Sequence, residues 1–228
     1  MADGLSRIPS RAEYLGQWSR LHGGYDPGGS RLVGPWLWLV YSCARPLARL
    51  GVPPDLVTAI GLLAAAGGAG LARAGGGWLF GAALLVVASG LVDSLDGAVA
   101  VLTGRSSAFG YVLDSMVDRC ADLFFLAALW WVGAPAGVAV AAGTLMLLQE
   151  YLRARAGAAG MTEVGVVTVW ERPTRVIVTA SFLLGAAIYG PGSPAAASAW
   201  ATCGAWVWFG LGLVGLVQLT VAVRRRLR

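Results

Sequence analysis

Long apolar runs broken by short Gly/Pro turns dominate the chain. Six of them, at residues 56–73, 77–103, 107–133, 135–157, 172–190 and 197–222, have the length and uniform hydrophobicity of helices in a bilayer, where about 20 residues cross the hydrocarbon. The turns Gly75-Gly76-Gly77, Gly133-Ala134-Pro135 and Gly190-Pro191-Gly192 punctuate them. Upstream, residues 31–50 set Trp36, Leu37, Trp38, Leu39 and Val40 between Arg31 and Arg45/Arg49, a pattern of an interfacial helix lying along a membrane. Pro35 and Pro46 are expected to interrupt it, and Gly51-Val52-Pro53-Pro54-Asp55 starts a new element. Residues 1–30 are polar, Gly-rich and mixed in charge, and are expected to be flexible. The expected fold is an all-α integral membrane protein of six transmembrane helices preceded by an amphipathic interfacial helix. One membrane domain covers 31–228, with no internal repeat.

Composition agrees with that reading. Of the 228 residues, 57% are hydrophobic and 13% charged, and mean hydropathy is +0.68. The charged share is about half that of a soluble domain. Net charge is +5, and every basic residue is arginine. No basic stripe interleaves with exposed aromatics, so the surplus points to a membrane face and away from nucleic acid. Arg31, Arg45 and Arg49, then Arg105, then Arg153, Arg155, Arg172 and Arg175, then Arg224, Arg225, Arg226 and Arg228 fall on alternate connections, whereas the intervening loops carry only Arg73. The positive-inside rule therefore places both termini and the basic loops of this cell-membrane protein in the cytoplasm. Cys43, Cys120 and Cys203 are widely separated and read as small core residues.

Four acids violate the apolar pattern. Asp93 and Asp96 are three apart on the second segment, and Asp114 and Asp118 four apart on the third, so each pair shares a helix face. The Gly104–Ser107 turn joins the two segments as an antiparallel hairpin. Asp93 and Asp118 each lie on the order of 15 Å in from that turn. The two pairs are thus expected at one depth, where unpaired acids are costly. A divalent cation held by oxygen ligands resolves that cost. Gly97 and Gly110 permit close approach of a ligand at the same level. Carboxylates on a cation at a membrane edge suit phosphoryl transfer, in which metal neutralises phosphate oxygens and a carboxylate takes a hydroxyl proton. They also suit a cation pathway.

The pattern Asp93-x2-Asp96-Gly97-x2-Ala100-x9-Gly110-x3-Asp114-x3-Asp118 resembles the signature of the CDP-alcohol phosphotransferases, D-x2-D-G-x2-A-R-x8-G-x3-D-x3-D, with seven of its eight fixed residues in place. Val101 stands where the family has arginine and supplies no charge; Arg105, one turn on, is the candidate substitute. The resemblance implies cleavage of a CDP-linked lipid, CDP-diacylglycerol, with release of CMP and transfer of the phosphatidyl group to a soluble alcohol. It further implies two Mg²⁺ or Mn²⁺ ions on Asp93, Asp96, Asp114 and Asp118, with Asp118 also the base. Pro54-Asp55-Leu56-Val57-Thr58 looks like the family's nucleotide-facing P-D-x2-T element, although Asp55 also suits helix capping. Together with Gly97, Ala100, Arg105 and Gly110, Asp55 and Thr58 form the implied CDP-lipid contacts. Family members are commonly homodimers.

Tyr151-Leu152-Arg153-Ala154-Arg155 and Glu171-Arg172-Pro173-Thr174-Arg175 resemble the branch that uses inositol phosphate. Arg153, Arg155, Arg172 and Arg175 are the implied acceptor-binding residues, since arginine forks suit phosphate. Gly157 stands where that branch often has an acid. The alternatives are a glycerol 3-phosphate acceptor (phosphatidylglycerophosphate synthesis), a cation-transporting membrane protein, or an inactive relative.

Overall fold

The computed structural model describes residues 8–21, 24–31, 33–161 and 167–227. These are helical apart from turns, with no strand among them. The helices are α1 (Arg11–Leu21), α2 (Val33–Arg49), α3 (Pro54–Ala74), α4 (Trp78–Thr103), α5 (Ala108–Val132), α6 (Ala136–Ala158), α7 (Arg172–Tyr189) and α8 (Pro194–Arg226), with a single 3₁₀ turn at Pro27–Gly29. Each of the six apolar segments is thus one helix. α8 runs past the expected end because its last turn carries Arg224, Arg225 and Arg226, cations favoured at a helix C-terminus. It starts at Ser193, whose hydroxyl accepts from the Ala196 amide at 3.3 Å, followed by Pro194 in the first turn.

Several expectations are corrected. α2 is continuous through Pro46; Pro35 falls in the first turn, where no amide partner is needed. Within the segment expected to be flexible, residues 11–21 form α1; residues 1–7 and 22–23 lie outside the described ones. Cys120 and Cys203 are exposed rather than in the core, and all three cysteines are free.

By length and composition, three helices (α3, α4 and α8) qualify to cross a membrane, not six. α5 carries Asp114, Asp118, Arg119 and Asp122; α6 ends in Glu150, Arg153 and Arg155; α7 has 18 residues and opens with Arg172 and Arg175. Large apolar side chains nevertheless face outward on α6 and α7 as well as on α3 and α4, among them Leu63, Leu84, Val140 and Ile177. Apolar surface of that extent suits lipid contact.

The chain divides into two compact units, Met1–Gly61 with Leu91–Val117, and Leu62–Gly90 with Asp118–Arg228. In the first, Val40, Tyr41, Ala44 and Ala48 form the buried stripe of α2, packed with Tyr14, Val57, Leu95, Ala98, Val99 and Leu102. The Tyr14 and Tyr41 rings lie 5.5 Å apart, and the Tyr41 hydroxyl donates to the Pro9 carbonyl at 3.1 Å, which fastens α1 onto α2. Burial pushes the Tyr14 hydroxyl up to about 12. The α4–α5 turn passes through Gly104 at φ 65°, a left-handed position; the Arg105 amide returns to the Ala100 carbonyl at 3.0 Å, and Ser107 caps α5 by accepting from the Gly110 amide at 2.9 Å.

The second unit has a small-residue core. Ala65, Ala69, Ala82, Ala121, Ala142, Ala201 and Ala205 let helices approach closely around Phe125, Leu129, Met146 and Leu183. α8 packs on α6 and α7. Trp170, wholly buried, meets Trp208 edge-to-face at 4.8 Å, and the Trp208 indole donates to Thr179 Oγ1 at 2.9 Å. A Cβ at Gly215 would meet Trp170 Cβ at 2.7 Å and Gln149 Oε1 at 2.9 Å. Gly215→Ala is therefore expected to cost about 1–3 kcal/mol by overpacking, read as a lowered Tm in detergent; an unchanged Tm would show that Trp170 is not tightly held.

Candidate functional site

α4 and α5 carry the aspartates. One carboxylate oxygen from each of Asp93, Asp114 and Asp118 lies within 4.8 Å of the other two, and all three residues are half-buried. Asp114 and Asp118 are one turn apart on the uninterrupted α5, as the i, i+4 spacing requires. The donor set is three carboxylates and no thiolate or imidazole, which suits a hard divalent cation. A six-coordinate ion with bonds of about 2.1 Å spaces its oxygens roughly 3–4 Å apart, so small side-chain adjustments close this cluster around one. Asp96 is outside the three. It is buried, and its Oδ2 accepts from Thr58 Oγ1 at 2.7 Å, tying α4 to the first turns of α3.

The expected CDP-lipid residues lie in the first unit. Thr58 is buried, and its hydroxyl also donates to the Pro54 carbonyl at 3.2 Å. Asp55 stands in the first turn of α3, where a carboxylate favours the helix N-terminus, and a Cβ on Gly110 would lie 3.7 Å from its Oδ1. Gly97 is exposed, and a Cβ there would meet nothing within 4 Å, so helix packing does not explain this glycine. Ala100 and Val101 are half-buried, and Val101 packs against the α2–α4 core. Arg105 is exposed and donates from Nη1 to the Gly51 carbonyl at 3.2 Å.

The expected acceptor arginines lie in the second unit, among acids. Arg172 Nη1 is 2.5 Å from Asp118 Oδ1 and donates to the Asp118 carbonyl at 3.1 Å. Arg175 is wholly buried; it meets Asp122 Oδ2 at 2.7 Å, Glu150 Oε1 at 3.1 Å and the Trp170 carbonyl at 3.0 Å. Arg153 donates to Glu171 Oε1 at 2.9 Å and lies 3.9 Å from Glu150 Oε2. Glu171 Oε1 also accepts from the Thr168 amide and hydroxyl at 2.8 and 2.9 Å. Arg155 is exposed and makes no ion pair among the described residues. Arg119 pairs with Glu150, with Asp118 Oδ2 at 3.4 Å and with Asp122 at 3.6 Å.

Thr168, Trp170 and the depth of Arg175 are absent from the sequence reading. Asp114, Asp118 and Asp122 recur every four residues, and that spacing marks Asp122 as part of the same polar stripe. Nothing local marks Trp170, whose ring meets Trp208 of α8 and whose carbonyl accepts from Arg175.

A sequence profile described as CDP-alcohol phosphatidyltransferase matches residues 52–216. The chain belongs to this family. Among curated CDP-alcohol phosphatidyltransferases and their kin, it is 40% identical over 142 residues to the phosphatidylinositol phosphate synthase of Mycobacterium marinum, covering 59% of this chain and 59% of that protein. It is 40% identical over 138 residues to the archaetidylinositol phosphate synthase of Methanothermobacter thermautotrophicus, covering 58% and 67%. The matched stretch thus spans about three-fifths of the Mycobacterium marinum protein. Among solved structures, it is similar to the Mycobacterium tuberculosis phosphatidylinositol phosphate synthase with CDP-DAG bound, with TM-score 0.65, 30% identity, and 81% and 92% of the two chains covered. The same enzyme in complex with manganese and citrate matches with TM-score 0.66 and 31% identity over 81% and 88%.

If the three clustered carboxylates share an ion, Asp93→Asn and Asp114→Asn each lower Mn²⁺ affinity by about tenfold or more, measured by paramagnetic resonance titration of the detergent-solubilised protein. Unchanged affinity in both variants would remove these side chains from the metal site.

Proposed function

We propose that this protein transfers a phosphatidyl group from CDP-diacylglycerol to a phosphorylated polyol, with inositol phosphate first and glycerol 3-phosphate second, and releases CMP. The observation that carries this reading is the grouping of Asp93, Asp114 and Asp118 on the family's own spacing. The related structures, one with CDP-DAG and one with manganese, support the donor and the metal dependence.

Asp93, Asp96, Asp114 and Asp118 are assigned to two divalent ions, Mg²⁺ or Mn²⁺. Bound metal supplies charge neutralisation on the diphosphate oxygens. Asp118 takes the proton of the acceptor hydroxyl; the freed oxygen forms a bond to the phosphatidyl phosphorus, and the bond from that phosphorus to CMP breaks. Arg172, whose Nη1 lies 2.5 Å from Asp118 Oδ1, orients that carboxylate. Asp55, Thr58, Gly97, Ala100, Arg105 and Gly110 are assigned to the CDP-lipid. Gly97, with open space at its missing side chain, leaves room for a ligand. Arg153, Arg155 and Arg172 are assigned to the acceptor phosphate, Arg155 being the exposed one of the three. Arg175, wholly buried, is assigned to the same set only through its carboxylate partners Asp122 and Glu150.

In this reading α3 to α8 are six membrane crossings, α2 lies in the interface with Trp36 and Trp38 exposed, and both termini face the cytoplasm with the site. The alternating arginine placement supports the orientation. A homodimer is assigned on family habit.

Membranes containing the protein, given CDP-diacylglycerol, Mn²⁺ or Mg²⁺ and a panel of alcohols, are expected to release CMP with inositol phosphate. Release only with glycerol 3-phosphate would move the acceptor assignment. Asp118→Asn is expected to lower CMP release by about 10²-fold or more, and normal turnover would reject the base assignment. Val101→Arg, which restores the family's charge, is expected to raise turnover; no gain would remove position 101 from the site.

A further inference from the structure

Asp118 and Arg119 are adjacent on α5, and the guanidinium reaches back to Asp118 Oδ2 at 3.4 Å. That is a loose contact for an ion pair, and the charge-assisted optimum is nearer 2.8 Å. Neighbouring positions on a helix do not face each other, which loosens the contact, and Arg119 is also held on its other side. Its Nη1 is paired closely with Glu150 of α6, and its Nε lies 3.6 Å from Asp122. Glu150 and Asp122 are in turn held by the wholly buried Arg175, at 3.1 and 2.7 Å. Arg175 cannot leave, because it also donates to the Trp170 carbonyl at 3.0 Å and has no exposed surface. Glu150 is therefore a fixed anchor that draws Arg119 away from Asp118.

We propose that Glu150 is a positioning residue for the metal site: it holds Arg119 off Asp118, so that the Asp118 carboxylate can serve a cation instead of closing on its neighbouring guanidinium. This rests on the assignment of Asp118 to metal. Arg172 holds Asp118 Oδ1 at 2.5 Å; Arg119 and a cation compete for the other oxygen, Oδ2, and the charge that decides between them sits on a different helix. Loss of the Glu150 charge frees Arg119 to close on Asp118. Loss of Arg119 removes the competitor, and the state of Glu150 then ceases to matter. A residue that merely supports the fold lacks this dependence on Arg119.

The test is Mn²⁺ binding by the full chain in detergent micelles, read by paramagnetic resonance without substrate, for four proteins. Glu150→Gln is expected to weaken Mn²⁺ binding about threefold or more, and Arg119→Gln to strengthen it by a similar factor. The double variant is expected to match Arg119→Gln within about twofold. Glu150→Gln with unaltered affinity overturns the proposal, and so does a double variant as weak as Glu150→Gln alone. If Glu150→Gln does not fold, Arg119→Gln decides by itself, and affinity that is equal to or below the parent's overturns the proposal. A parent protein that binds no Mn²⁺ removes the metal assignment and this inference together, an outcome distinct from the others.

Discussion

Ionised side chains surrounded by apolar helices must find opposite charge or hydrogen-bond donors, and this requirement organises the second unit. Removing one partner of a buried pair costs about 3–5 kcal/mol, because the other charge is left stranded. Asp122 and Arg175, both wholly buried, face each other at 2.7 Å. Glu150, Arg119, Arg172 and Asp118 then extend the alternation of signs outward from that pair. The network joins α5, α6 and α7 by contacts that have direction, which the surrounding alanine-rich packing lacks. It fixes the register in which Asp118 is presented.

The first unit meets the same requirement with fewer charges. Asp96 is buried, and Thr58 donates to it at 2.7 Å. That bond couples the start of α3 to the helix that carries Asp93. The four aspartates therefore differ in environment, although the sequence motif presents them as equivalents. Three converge half-buried with their oxygens close together, and the fourth is engaged by a hydroxyl. Small residues make these approaches possible, since Gly110 sits close to Asp55 and Ser107 where a larger residue would intrude.

Much of this was legible along the chain. Helix boundaries followed from uniform apolar runs and Gly/Pro turns, and α3 to α7 begin and end within about two residues of the expected limits. The aspartate spacing placed two acids on each of two faces, because helical periodicity is local. What could not be read depends on distant partners. The arginines at 172 and 175 look alike in sequence, yet Arg175 is buried by Asp122 and Glu150, which lie 53 and 25 positions away. α1 looked like a polar tail because its one buried residue, Tyr14, gains its value only against Tyr41. Pro46 looked like a break, but it lies in the last turns of α2, where little helix remains to disrupt. Cys120 and Cys203 looked like core residues because in a lipid-facing protein apolar neighbours do not mean interior, whereas Cys43 does pack against the first unit's core.

α8 is 33 residues long, roughly 50 Å of helix, whereas hydrocarbon is about 30 Å thick. About four turns must therefore lie beyond the greasy layer, or the rod must lean. Its far end bears three consecutive guanidinium side chains, and near its start stands Trp200. Its middle is docked by the Trp208–Thr179 bond and by Gly215 against Trp170, so the excess length falls at the two ends. Helix length beyond the hydrocarbon is thus confined to the ends of α8, while its middle stays docked on α6 and α7.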